Sequence, residues 1–377
     1  MTTSGEVSPS RIRGFDGVRA LAALAVIGIH TGAFSGLGQR SAHLVQPVTL
    51  FFVLSGYLIS RNLLIEQHQF GRIRLRRFWW HRALRLMPCY VSALAATAVL
   101  AATGAIGEIT RRHFVLSVVY LSNLVDREHY THSLAATWSL AVEEHFYLLW
   151  PVVLLVVPRR RLGRALVAAL VLCLAVRVGL AGHPALAAGY FWPRWTVPAA
   201  DALIIGCGLA VVVSRRSPTL PASDRTAARL PITAAVIVGY LAPVWLPDDG
   251  PSGWNVLGYY LQVVAMAAGL WLITQNQGGS AVRVLELSPL RRIGQISYGV
   301  YVWQGVVLGT GPADQAAVWQ RSPLSVLLIV AIAAVSWLLV ERPIVRWGRR
   351  LRRRSEPARH AVIRVTDPDD VARALPR

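Results

Sequence analysis

Three stretches of this sequence place ionisable side chains inside or beside long apolar runs. A charge at membrane depth is costly, so each is a functional candidate. The first is FDGVRALAALAVIGIH, residues 15–30. Arg19 and His30 are eleven residues apart. At about 100° per residue they return to within roughly 20° of one helical face, separated by about 16 Å of rise. Asp16 is placed to pair with Arg19 at i, i+3. A neutral imidazole near pH 7 suits proton abstraction from a hydroxyl. The competing reading is an arginine snorkelling at one membrane edge and a histidine satisfied near the other. The second stretch is TWSLAVEEHFYLLWPV, residues 137–152, where Glu143, Glu144 and His145 interrupt an apolar run. Adjacent helical positions differ by about 100°, so the two carboxylates cannot both face one site. A structural ion pair with an arginine competes with a catalytic or orienting role. Glu143 is expected at a depth similar to His30, as the orienting partner of a base. The third is GRIRLRRFWWHRALRLMP, residues 71–88, read as an arginine-rich loop. Arg82 and Arg85 lie three apart, on one face if helical. Arginine forks beside an aromatic shelf suit phosphate groups, or else lipid headgroups.

The elements that must position these residues are transmembrane helices. Of 377 residues, 54% are hydrophobic and 15% charged. Soluble domains average about 25% charged. The formal net charge is +20, and arginine supplies all of the basic residues counted. Codon bias of a GC-rich genome accounts for that choice most simply. The arginines fall in short clusters between apolar runs, the pattern of loops beside anionic lipid rather than of a nucleic-acid surface. A helix needs roughly 20 apolar residues to cross the hydrocarbon. Runs near that length occur at 15–34, 45–65, 84–104, 137–157, 164–181, 197–213, 230–246, 255–274, 293–310 and 323–341. The run 113–124 is too short to cross, and reads as re-entrant or interfacial. The fold class expected is therefore all-α, a polytopic bundle of about ten spans. Arginine asymmetry between the loops puts both termini in the cytoplasm.

One transmembrane domain is expected over 1–345, with the first run as an uncleaved signal anchor. A basic, disordered cytoplasmic tail is expected over 346–377, with a short helix at 369–375. Cys89, Cys173 and Cys207 lack ligand spacing and read as small core residues, so no metal is expected. No P-loop, GxSxG elbow, HExxH or dinucleotide fingerprint appears.

These pieces together resemble the acyltransferase-3 family of bacterial membrane O-acyltransferases. The resemblance runs from about Arg11 to Trp347. It rests on Asp16, Gly17, Arg19, Ala20 and His30 in the opening helix, and on Ser55 and Gly56 in FFVLSGYLIS. It continues through Arg82, Arg85 and Pro88, through Trp138, Ser139, Glu143, Phe146 and Tyr147, and through the closing ISYGVYVWQ and ERP segments. Gln304 departs from the pattern, standing where the family more often has histidine; glutamine can orient or hydrogen-bond but cannot act as a base.

The resemblance implies an acyltransferase of the plasma membrane. It would move an acyl group from acyl-CoA, a donor substrate and not a bound cofactor, to a hydroxyl of a sugar, a glycan or a glycosylated antibiotic. His30, Glu143 and Arg19 would be catalytic. Arg82, Arg85, Asp16, Trp138, Ser139, Tyr147 and Gln304 would bind substrate. The alternative is a transporter or flippase for a lipid-linked sugar. The lack of a visible internal repeat weighs against it.

Overall fold

The computed structural model describes residues 11–32, 46–215, 222–242, 253–309, 320 and 323–355. Among these every regular element is helical, and the one strand-like contact is an isolated bridge between Asp126 and Tyr190. The helices are α1 (Phe15–His30), α2 (Pro47–Phe70), α3 (Leu75–Ala102), α4 (Arg111–Val118), α5 (Thr137–Val156), α6 (Leu162–Ala181) and α7 (Pro184–Gly189). They continue as α8 (Thr196–Arg215), α9 (Ala222–Leu241), α10 (Gly253–Gln275), α11 (Ser280–Leu285), α12 (Ser288–Gln295), α13 (Ser297–Leu308), α14 (Leu324–Ser336) and α15 (Arg342–Ser355).

Seven helices among the described residues are long and apolar enough to cross a membrane: α2, α3, α5, α6, α8, α10 and α14 with its continuation. The other three apolar runs are helical but shorter. α1 has 16 residues, α13 has 12, and the apolar part of α9 is Ile232–Leu241. The run 293–310 is broken at Ile296, between α12 and α13. The run 113–124 folds as α4, which buries His113 and Ser117, and a 3-10 turn, Ser122–Leu124; it is not among the helices long enough to cross a membrane.

Two close approaches of backbone fix the bundle. α2 packs along α8 through Gly56 and Gly206. A Cβ on Gly56 would collide with the carbonyl of Leu203, and one on Gly206 with that of Val53. Small residues let helices in lipid approach this closely, because packing rather than water exclusion joins them. The same logic seats α1: Gly17 meets the Leu285 carbonyl and Gly294 the Asp16 carbonyl.

The start of α1 is tied to α11 by charge. Arg11 bridges Asp16 and Glu286, each at 2.9 Å, and Glu286 also accepts the Gly14 N–H at 2.7 Å. Asp16 therefore pairs with Arg11, not with Arg19 as its spacing suggested. Its place in the first helical turn points it back toward the incoming chain.

The arginine-rich stretch is also helical. Only the short turn before Leu75 is non-helical, so Arg82 and Arg85 stand on α3 rather than in a loop. Pro88 lies inside that helix. Ser92 Oγ, one turn on, donates to the Pro88 carbonyl at 2.8 Å. After α14 the chain passes through a π-helical turn, Trp337–Glu341, into α15. Residues 346–355, expected to be unstructured, continue that helix; the rest of the tail, with the expected helix at 369–375, lies outside the described residues.

The α2–α8 contact yields a test. Gly206→Leu would overpack a backbone-to-backbone crossing, a change that typically costs about 1–3 kcal/mol. A lowered unfolding midpoint in detergent is expected. Gly208→Ala, which meets no atom within 4 Å, should leave it unchanged. Equal midpoints for wild type and Gly206→Leu would mean that these helices do not meet as described.

Candidate active site

α1, α2, α3, α5 and the α12–α13 junction enclose a cavity of about 80 Å³. Arg19, Ser55, Arg82, Arg85, Ser139, Glu143, Tyr147, Tyr301 and Glu341 line it, with Phe51, Phe52, Leu86 and Leu140 supplying apolar wall. One carboxylate is pinned at its middle. Ser55 Oγ donates to Glu143 Oε1 at 2.7 Å, and Tyr147 OH donates to Glu143 Oε2 at 3.0 Å. Tyr147 is one turn along α5 from Glu143, so the helix itself sets that bond. Ser55 reaches the site because its neighbour Gly56 lets α2 settle against α8.

Tyr147 is held from two further sides. Trp79 Nε1 donates to its backbone carbonyl at 2.9 Å, and the Arg82 guanidinium lies 4.2 Å from its ring centroid. Arg82 also lies 6.0 Å from the Phe78 ring. Neither Arg19, Arg82 nor Arg85 makes an ion pair among the described residues. Of the two lining carboxylates, Glu143 is held by hydroxyls and Glu341 accepts from Ser336 Oγ at 3.1 Å. Three guanidiniums against two carboxylates leave the cavity short of negative charge. Three guanidiniums converging without counter-ions favour an anionic ligand.

The structure brings together Arg19, Arg82, Arg85, Ser139, Glu143 and Tyr147. Ser139 Oγ and Tyr301 OH are 2.6 Å apart at the wall. Trp138 stands just behind, edge-on to Phe52 with centroids 6.0 Å apart. Asp16 remains with Arg11. Gln304 is buried on α13, with its Oε1 lacking a partner among the described residues, and does not line the cavity.

His30 is the last residue of α1, exposed, and outside the cavity lining. The expected His30–Glu143 pair is not formed among the described residues, because Glu143 turns to Ser55 and Tyr147. His30 Nδ1 is instead 2.8 Å from the Val26 carbonyl. A carbonyl only accepts, so in the neutral ring Nδ1 carries the hydrogen and Nε2 keeps its lone pair. Glu144 lies off the cavity, as the helical angle between neighbours requires. Spacing alone did not mark Ser55, Tyr301 or Glu341 as site residues. The signal for Glu341 was a carboxylate closing an apolar run.

The profile of the acyltransferase-3 family, an acyltransferase domain, matches residues 12–341. The chain belongs to the acyltransferase-3 family. The peptidoglycan O-acetyltransferase OatA of Listeria monocytogenes is 29% identical over 92% of this chain and 58% of its own length. The putative peptidoglycan O-acetyltransferase YrhL of Bacillus subtilis is 29% identical over 89% of the chain and 55% of its own. The O-acetyltransferase OatA of Staphylococcus aureus is 25% identical, over 90% and 58%. The chain thus spans between half and two-thirds of the length of these relatives. No solved structure matches it. Among the described residues no cluster of histidine, cysteine, aspartate or glutamate could hold a metal ion.

The acyltransferase domain carries a second polar assembly, at the end of the bundle away from Arg82 and Arg85. Asp126 pairs with Arg112 at 2.7 Å and with His129 Nδ1 at 2.6 Å. Burial would raise the Asp126 pKa, but hydrogen bonds from His129 and the charge of Arg112 bring it below the ordinary value. His113 is buried in α4, outside the candidate spans, and its Nδ1 accepts the Thr131 N–H at 2.9 Å. Burial first, and the nearby Arg194 cation second, push its pKa down to about 4.

An unfolded histidine titrates near 6.5, so the unfolded chain binds this proton more readily than the folded one. Stability from neutral His113 is therefore complete above about pH 6.5 and is lost as pH falls toward 4. The unfolding midpoint should drop across that window. His113→Asn, whose amide oxygen can accept the Thr131 N–H but does not titrate, should show a shallower drop. Identical slopes for the two proteins would remove His113 from the account.

Proposed function

We propose that this protein is a plasma-membrane O-acyltransferase of about ten spans, with both termini in the cytoplasm, acting on a sugar hydroxyl. The observation that carries this reading is the surplus of guanidinium groups around Glu143. Phosphates are the ligands that such forks fit best. The reading gives Arg82 and Arg85, on the arginine-rich and hence cytoplasmic end of α3, the phosphates of an acyl-CoA. Arg19, Glu143 and Tyr147 position and polarise the reacting groups, and Ser139 and Trp138 bound the acceptor side. The names of the relatives point to a cell-wall glycan as acceptor rather than to a glycosylated natural product. Membership of an acyltransferase family favours this reading over transport of a lipid-linked sugar.

In the reaction His30 Nε2 takes the hydroxyl proton as the acceptor oxygen bonds to the acyl carbon. The carbon–sulfur bond breaks and CoA leaves as thiolate, to be protonated. His30 sits at the end of α1 away from Arg82 and Arg85, so acyl group and acceptor must meet beyond the cavity's arginine-lined part. A transient acyl-histidine at Nε2 would serve the same transfer in two steps. General-base help of this kind contributes typically 10²–10⁴-fold.

Two measurements test the assignment. Arg82→Ala and Arg85→Ala should each raise the KM for acyl-CoA, with insertion intact. Lysine at either position should rescue only part of the loss, because a point charge lacks the bidentate fork. Unchanged donor kinetics in both alanine variants would return these residues to lipid contact.

His30→Ala should lower kcat by about 10²-fold or more while donor binding persists. His30→Gln keeps a hydrogen bond but cannot take a proton. Near-normal turnover in that variant would move the base to another group.

A further inference from the structure

The last helix carries a charge pattern that the cavity does not use. Of the 14 residues of α15, seven are arginine and none is acidic. Counted from Leu324, where α14 begins, Arg342 comes after roughly 20 helical residues, about one crossing of the hydrocarbon. The arginines therefore leave the bundle at headgroup depth. Arg342, Arg346 and Arg350 are exposed, and none makes an ion pair among the described residues. They are spaced by four, so successive members turn by only about 40° and form one stripe. Gly348 lies about 200° round from Arg346 and is buried, with Leu84 of α3 standing where its Cβ would be.

The stripe has aromatic flanks on both helices of that contact. Trp347, beside Gly348, is 54% exposed, and Trp80, one turn before Leu84, is 53% exposed. An open tryptophan on a membrane helix suits the headgroup level, where its ring meets apolar chains and its N–H stays wet. Arg76, one turn before Trp80, is exposed as well and makes no ion pair among the described residues. The acid next to the stripe is turned away from it: Glu341 lines the cavity and accepts from Ser336. Arg342 follows Glu341 directly, so whatever holds α15 also holds the end of the Trp337–Glu341 turn.

We propose that α15, with the first turns of α3, is a docking surface for anionic phospholipid headgroups, and that lipid bound there steadies Glu341 in the cavity wall. Guanidinium forks take phosphodiester oxygens, and the two tryptophans enter the layer beneath them. The stripe meets a membrane surface before any soluble polyanion, because it leaves the bundle at headgroup depth. A basic side chain near an anionic membrane surface contributes about fivefold in affinity, so three together contribute about a hundredfold. The proposal does not depend on which donor or acceptor the cavity takes.

The test uses the full chain purified in mild detergent and given equal amounts of phosphatidylglycerol and phosphatidylcholine. Native mass spectrometry reads the lipid that stays bound. The wild type should retain phosphatidylglycerol about tenfold over phosphatidylcholine or more. Arg342→Gln, Arg346→Gln and Arg350→Gln combined should cut that preference about fivefold or more. The same three positions changed to lysine should keep most of it, since surface attraction counts charge, and this variant guards against a helix that merely misfolds. A control removes equal charge elsewhere: Arg159→Gln, Arg160→Gln and Arg161→Gln, at exposed positions before α6, should leave the preference close to that of the wild type. An undiminished preference in the first glutamine triple, or an equal loss in the control triple, would overturn the docking surface. So would a loss in the lysine triple as deep as in the glutamine triple, because charge would then not be what holds the lipid.

Hydrogen exchange across Trp337–Glu341 is read in the same samples. Phosphatidylglycerol should slow it in the wild type and not in the Arg342, Arg346 and Arg350 glutamine triple. Selective retention of the lipid with unchanged exchange would uphold the docking surface and overturn its link to the cavity wall.

Discussion

Most of the functional architecture depends on an imbalance of charge around one cavity. Arg19, Arg82 and Arg85 converge on a cavity with only Glu143 and Glu341 to answer them, and both carboxylates are engaged by hydroxyl groups. Cations left without counter-ions in a low-dielectric environment raise the energy of the empty protein. An incoming anion relieves that cost, so the same feature that burdens the fold supplies binding. The rings of Phe78 and Tyr147 beside Arg82 lessen the burden without supplying hydrogen-bond acceptors for the fork. The fork thus stays open to ligand.

Holding such a cavity open requires a rigid frame, and the frame is made of close helix crossings. The α2–α8 contact through Gly56 and Gly206 leaves no room for side chains between the backbones. It fixes Ser55, and through Ser55 the Glu143 carboxylate. Gly17 and Gly294 fix α1 in the same way, so Arg19 enters the cavity from a helix that cannot rotate freely. The Arg11 bridge to Asp16 and Glu286 locks the entrance of that helix. Between α14 and α15 the π-helical turn ends in Glu341, which brings a carboxylate from the far end of the chain to the wall. Such wider turns are frequent at functional sites.

The two ends of the bundle differ in chemistry. One carries arginines on helix and turn; the other carries loops in which aromatic rings, histidines and one buried aspartate are held by specific bonds. Arg112 and His129 saturate Asp126, and Thr131 satisfies His113. Arg194 Nη1 and the neighbouring Trp195 Nε1 are buried there without an acceptor among the described residues. On the proposed reading, donor and acceptor approach from opposite ends and α1, with Arg19 near one end and His30 at the other, runs between them.

The sequence by itself determined the class of this protein. Apolar runs near crossing length can only be helices in lipid, because no other open segment satisfies its own backbone there. Each expected run is mainly helical in its described part. The spacing of Arg19 and His30 placed both near one face of the first run before any packing was known, since helical periodicity is local; Arg82 and Arg85, read as part of a loop, share a helical face only because the loop proved to be helix. Tertiary structure decided what those faces meet. Asp16 had Arg19 within reach along its helix, yet it pairs with Arg11, which also bridges to Glu286. Glu143 was matched in depth to His30, yet Ser55 and Tyr147 satisfy it. The run at 293–310 had a helical pattern throughout, yet it breaks at Ile296, where Gly294 presses on α1. Nothing in the sequence marked Arg194, and only the clasp of two loops distant in sequence surrounds it with rings. Periodicity fixes which residues share a face, but the choice among competing partners is a comparison of long-range contacts, and those exist only once the helices have packed.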